Sequence, residues 1–248
     1  MEGFSGMLNT FLIGCDPEFA ALTANGSQIN LAAMFRGDDG EVGYDHGGRV
    51  GEFRPEPTRG TYALTKRLQR LIKSPLIERL GASKLRAGAR VGRDTLGGHV
   101  HFGFPTGEAS KERVAALDRV TQVLEALDIL PMAESTARRG TGAYGRFGDI
   151  RDSSGHTEYR TMASWLLDPK VAYLCLTAAK VAACDPKGTV DTLPASASFN
   201  HLVEWFRNYR TKDINVRRAL ERVLSQGHKT IQVYPDVDFR ERWRELGL

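Results

Sequence analysis

Gly97-Gly98-His99-Val100-His101-Phe102-Gly103-Phe104 alternates polar and apolar side chains from His99 onward. Successive side chains of a β-strand point to opposite faces. His99 and His101 therefore share one face, and Val100, Phe102 and Phe104 share the other, which must be the core. Alternation this clean describes a strand with one face buried and one face open to water or a ligand, the habit of antiparallel sheets.

Three more segments carry the same pattern. In Gly51-Glu52-Phe53-Arg54, Glu52 and Arg54 share a face opposite Phe53. In His156-Thr157-Glu158-Tyr159-Arg160, Glu158 and Arg160 share a face opposite Tyr159. In Asp16-Pro17-Glu18-Phe19, two carboxylates share a face if Pro17 forces no bulge. One such strand is an ordinary solvated face. Four of them, built from Asp, Glu, His and Arg with little Lys, describe a single polar sheet face. Carboxylates crowded together repel and call for divalent cations. A carboxylate-dominated set suits Mg²⁺ or Mn²⁺ rather than zinc.

The rest of the chain supplies the layer behind this sheet. A first strand spans 10–23, interrupted by Pro17, and Asn25-Gly26 turns it toward a second at 27–31. Residues 36–48 read as a loop. A helix over 62–80, broken by Pro75 and stopped by Gly81, precedes the His99 strand. Ser110 caps an amphipathic helix with Val114, Leu117, Val120, Leu124 and Leu127 on one side. Residues 134–156 read as a loop. Asp168-Pro169 opens a helix to Cys184 that is apolar on most faces, as a central buried helix would be. A linker over 185–197 leads to helices at about 198–210, 213–226 (stopped by Gly227) and 236–246. The expected class is α+β, an open, mainly antiparallel sheet backed by helices.

The 134–156 segment holds Arg138, Arg139, Arg146 and Arg151 among five glycines. Guanidinium forks match phosphate and carboxylate oxygens, and glycines let backbone approach a ligand. No GxxxxGK[ST] occurs and no GxGxxG follows a strand, which excludes a P-loop or Rossmann nucleotide site.

The 248 residues carry 34 Lys+Arg against 30 Asp+Glu, a formal charge of +4. All of that excess lies in residues 207–248, with 10 basic and 6 acidic side chains. The signs are mixed there, which describes a solvated helical surface better than a polyanion patch. Nucleic acid is therefore not expected as a partner. Three cysteines without CxxC spacing, Cys15, Cys175 and Cys184, fit a reducing compartment. The N-terminus lacks the basic region of a signal peptide, and the longest apolar run, Val171–Cys184, is broken by Lys180 and too short for a membrane span. The expected location is the cytoplasm.

Together, Gly14-Cys15-Asp16-Pro17-Glu18-Phe19, Gly51-Glu52-Phe53-Arg54-Pro55, the GGHxHFG element at 97–103, Tyr144-Gly145-Arg146 through Asp149, and Glu158-Tyr159-Arg160 resemble, in order, the phage-type carboxylate–amine ligases. These are amidoligases of the glutamine synthetase and glutamate–cysteine ligase superfamily. The resemblance covers roughly residues 10–170, and GGHxHFG and EYR are its most specific elements. It implies a glutamine-synthetase-like catalytic domain over 1–190, with a helical extension over 191–248 packed on it. It implies ATP and Mg²⁺ or Mn²⁺ as cofactors, metal held by Glu18, Glu52, His99 and Glu158, and nucleotide met by His99, Arg160 and Arg138. Glu52, Arg160, Arg146 and Arg151 would act in catalysis. Asp16 and Asp45 are further candidates, and His101 is left between a structural and a site role. The implied reaction joins a small-molecule or peptide carboxylate to an amine through an acyl phosphate, in the cytoplasm, including that of a phage-carrying bacterial host. A homo-oligomer stays open, since related enzymes can build sites at subunit interfaces.

Three alternatives compete with the ligase. One is a metal-dependent hydrolase using His99 and His101, another a same-fold kinase of guanidino groups. The third is a non-catalytic module whose basic tail holds a polyanion.

Overall fold

A computed structural model describes residues 11–35, 40–103, 111–140, 144–153, 155–208 and 238–245. The Ser110 cap, the helix at 213–226 and its Gly227 stop lie outside these residues.

The main sheet is built on the long strand β1 (Ile13–Leu22). Its other strands are β2 (Val42–Asp45), β3 (Val50–Phe53), β4 (Lys84–Arg86), β7 (Gly98–Phe102), β8 (Ile150–Ser153) and β9 (His156–Tyr159). Its order is β2-β3-β1-β7-β9-β8, with β4 paired to the end of β1, and every pairing is antiparallel. A separate small hairpin joins β5 (Arg90–Val91) to β6 (Asp94–Thr95). The α+β expectation, an open antiparallel sheet with helices behind it, holds.

Pro17 does not interrupt β1. The register runs unbroken from Ile13↔Phe102 to Pro17↔Gly98. Glu18 N donates toward β7, to Gly97 O at 2.8 Å. By alternation the missing N–H of Pro17 faces the opposite edge, where β3 pairs with Glu18 and Phe19.

Helix α1 (Thr61–Ile72) and the single turn α2 (Pro75–Glu78) are split where Pro75 predicts. Helix α3 (Lys111–Ala126) buries Leu117, Val120 and Leu124, with Leu127 buried just beyond its end. Helix α5 (Pro169–Cys184) is capped by Asp168, whose carboxylate accepts Lys170 N at 2.7 Å. All of its residues are buried, and it packs against α1 and α3.

Four expectations need correction. Residues 27–31 contribute one bridge, Leu22↔Gln28, before a 3-10 turn at Leu31–Ala33. The supposed loop at 36–48 contains β2. The supposed loop at 134–156 contains the end of helix α4 (Met132–Gly140) and strand β8. The supposed linker contains α6 (Pro186–Thr192), capped by Asp185. In the last three, short elements hold their place by pairing or packing, and Gly and Pro content alone misreads them.

Beyond residue 190, α7 (Phe199–Asn208) and α8 (Phe239–Glu245) enter the same buried cluster as the sheet. Phe239 meets the Phe19 ring edge-on at 6.4 Å. Trp243 Nε1 donates to Leu166 O at 2.6 Å, and Gln69 Nε2 donates to Trp243 O at 3.0 Å. Among the described residues no helix is long and apolar enough to cross a membrane.

Candidate active site

The strand registers gather the polar side chains. Asp16 faces His99 and Gly14 faces His101 across β1 and β7. His101 faces Glu158, and Glu158 faces Arg151, across β7, β9 and β8. Glu18 faces Glu52 across β1 and β3. Cross-strand partners share a face, so these residues of five strands form one floor. Phe19, Phe53, Val100, Phe102 and Tyr159 alternate with them and are fully buried on the other face.

The floor lies under a cavity of about 670 Å³ lined by Asp16, Glu18, Glu52, His99, His101 and Glu158, with Arg54, Arg151, Arg160, Tyr144, Asp45 and Glu56 among its walls. Both glycines of the GGH element make it buildable. A Cβ on Gly97 would lie 2.1 Å from the His99 ring, and one on Gly98 would meet Ala163 O at 2.4 Å and the Trp165 indole.

His99 is buried, with Nδ1 3.2 Å from both Asp16 Oδ1 and Glu158 Oε1. Burial opposes its charge, but the two carboxylates prevail and push its pKa up to about 10. As placed, it is an imidazolium between two acids. Asp16, also facing His101 Nε2 at 2.9 Å, is held well below the usual carboxylate range despite its burial. Glu18 goes the other way. Burial raises it even though its Oε2 accepts Gly97 N at 2.5 Å. Glu52 is pushed up to about 8 by burial and by the neighbouring charges of Asp16 and Glu18. Against burial, Glu158 is lowered by His99.

The donor set fits a divalent cation. Ligand atoms of Asp16, His101 and Glu158 all lie within 4.8 Å of one another. Glu158 is fully buried, with its carboxylate oxygens set against the charged His99 and Arg151. Two carboxylates with one imidazole suit a hard to borderline ion such as Mg²⁺ or Mn²⁺. Of the four expected ligands, Glu158 belongs to this trio, Glu18 and Glu52 stand together beside it, and His99 lies beneath. Asp16 and His101 enter the trio instead.

The expected arginines separate into two groups. Arg151 Nη2 reaches Glu158 Oε2 at 2.5 Å, and Arg160 Nε lies 3.4 Å from Glu158 Oε1. Both line the cavity. Arg138, expected to meet nucleotide, lies outside the lining. Its buried guanidinium donates to Thr161 O and Met162 O, both at 2.9 Å, and to Arg160 O at 3.2 Å. It lies directly under Gly145, where a Cβ would come within 2.5 Å of it and φ is +73°. Arg146 is exposed and outside the lining, and its carbonyl accepts Thr161 Oγ1 at 2.7 Å and Asp149 N at 3.0 Å.

Tyr144 and His156 escaped the sequence reading, and Arg54 was placed on the polar face there without a site role. Tyr144 stacks under the Arg160 guanidinium, 4.2 Å from ring centroid to Cζ, and faces the His99 ring at 6.2 Å. Arg54 pairs with Glu52, a neighbour that strand parity already announces. His156, read as a loop residue, begins β9 and stacks on His101 at 5.1 Å. Asp45 reaches the cavity wall while accepting His46 N at 2.6 Å.

Comparison with known proteins bears on the fold and the family. A bifunctional glutathione synthetase from Pasteurella multocida has a similar fold, with TM-score 0.51 at 9% identity over 97% of this chain and 50% of that one. The chain thus spans half the length of that enzyme. The ligase PafA, solved in complex with the prokaryotic ubiquitin-like protein Pup, matches with TM-score 0.54 at 10% identity, over 96% and 69% of the two chains. A search of curated protein sequences finds no match. The phage phiEco32-like COOH.NH2 ligase-type 2 family matches residues 13–244. With nearly its whole length accounted for in this way, the chain belongs to that family.

Proposed function

We propose that the protein joins a carboxylate to an amine at the expense of ATP, with Mg²⁺ or Mn²⁺, through an acyl phosphate. The observation that carries this reading is the convergence of Asp16, Glu18, Glu52 and Glu158 on one cavity floor beneath Arg54, Arg151 and Arg160. A floor of acids under a wall of guanidiniums suits a metal-bound polyphosphate.

Asp16, His101 and Glu158 would hold one cation, and Glu18 and Glu52 a second. Bound cations would neutralise triphosphate charge and the charge that develops during phosphoryl transfer. A substrate carboxylate oxygen attacks the γ-phosphorus, its bond to the bridging oxygen breaks, and ADP leaves. Arg160, stiffened by Tyr144, and Arg151 orient and neutralise the transferring group. The amine then attacks the acyl carbon, inorganic phosphate leaves, and a carboxylate of the cavity accepts the amine proton.

The cavity lining holds no Leu, Ile, Val, Met, Phe or Trp among the described residues. That favours a hydrophilic acyl donor, such as an amino acid or peptide carboxylate, over a fatty acid. The test is release of ADP and phosphate from ATP with a carboxylate panel and hydroxylamine as the amine. Release should require both co-substrates. Phosphate release that is indifferent to omitting either overturns the ligase reading, and ADP without phosphate points to a guanidino kinase.

A further inference from the structure

We infer that Arg54 is a tethered counter-cation, occupying Glu52 in the metal-free protein and displaced when a divalent cation takes that carboxylate. This rests on the reading of the cavity floor as a metal site.

Arg54 follows β3 directly, two residues after Glu52 and on the same face. Its Nε donates to Glu52 Oε1 at 2.5 Å, and its Nη2 pairs with the same oxygen. The seat is built for it. Gly43 of β2 is the register partner of Glu52, and a Cβ there would lie 2.6 Å from Arg54 Cζ. Only a residue without a side chain lets the guanidinium lie flat over β2.

The two partners differ in freedom. The Glu52 side chain is 9% exposed and the Arg54 side chain 34%. The acid is fixed, while the base has an open path into the cavity. At the Arg54 end solvent screens the pair and weakens it. A divalent cation brings twice the charge and draws on Glu18, directly across from Glu52, as a second ligand. The exchange therefore favours the metal. Once moved off Glu52, the guanidinium stays at the cavity wall, where it can meet an anionic group of the substrate.

The test is Mn²⁺ binding to the full chain, followed by the electron paramagnetic resonance signal of the free ion. Arg54→Gln should tighten binding about five- to ten-fold, since the competitor for Glu52 is gone. Should that variant fail to fold, Arg54→Lys, which keeps the charge but loses the fork, should tighten it by a smaller factor. A crystal structure with Mn²⁺ should show the guanidinium moved off Glu52. Equal Mn²⁺ affinity in wild type and variant, or Mn²⁺ on Glu52 with Arg54 still paired to it, overturns the inference and leaves the metal site standing. Absence of Mn²⁺ binding to both proteins overturns the metal reading as well.

Discussion

Glu18 and Glu52 are direct register partners on adjacent antiparallel strands, so two carboxylates stand side by side on the cavity floor. Like charges directly opposed across a strand pair destabilise the sheet, and here they are also buried. On the proposed reading, this arrangement is kept for the cation it binds. Glu52→Gln should therefore melt at the same temperature as the wild type or higher in metal-free buffer at pH 8, while losing ADP release. A drop of several degrees would make Glu52 a structural residue.

Glu158 should behave differently. It is fully buried and held by His99, Arg151 and Arg160, whose charges favour its ionised form. Removing one partner of a buried ionic cluster strands the others, at about 3 kcal/mol or more. Glu158→Gln should lose both turnover and stability without metal, as read by urea titration. Unchanged stability would mean that the surrounding charges relax into solvent.

Arg138 and Arg146 belong to the same segment but should separate in a stability assay. Arg138→Met leaves the buried Thr161 carbonyl without its donor, while Met162 O keeps its second donor, Gly98 N, and an orphaned buried acceptor costs about 1–3 kcal/mol. Arg146→Ala changes an exposed side chain and should stay within about 0.5 kcal/mol of wild type. Equal melting temperatures for the two variants would contradict the placement of Arg138.

Lys180 provides a pH dependence remote from the site. It is buried in α5, donates to Arg59 O, and burial lowers its pKa to about 8 from its ordinary 10.5. Between those values the unfolded chain binds the proton and the folded chain does not, so this group adds stability as pH rises through the window. Other groups titrate there too, so the readout is the difference from Lys180→Met. Wild type should gain on the variant between pH 8 and 10.5, measured by denaturant unfolding. A constant difference would place the ammonium in water.

Strand parity was enough to sort Glu18, Glu52, His99, His101, Glu158, Arg54 and Arg160 onto one face and Phe19, Phe53, Val100 and Tyr159 onto the other. Parity is a local property of the backbone and survives any tertiary arrangement. The buried helix opened by Asp168-Pro169 was legible for the same reason, since capping and apolar content are local. The glycine-rich segment was not. Arg138, Arg146 and Arg151 look alike in sequence, yet one is buried beneath backbone carbonyls, one is exposed, and one reaches Glu158.

The sequence alone thus determined which residue types share a face, and with them the antiparallel, helix-backed class of the fold. Only the tertiary structure decided which partners meet across strands: Glu18 with Glu52, His101 with Glu158, and Asp16 between two histidines. The physical reason is that register and loop path depend on contacts between segments far apart in the chain, which no local pattern encodes. Those contacts brought His101 and Asp16 into the candidate metal trio and set Arg138 beneath the backbone, outside the cavity lining.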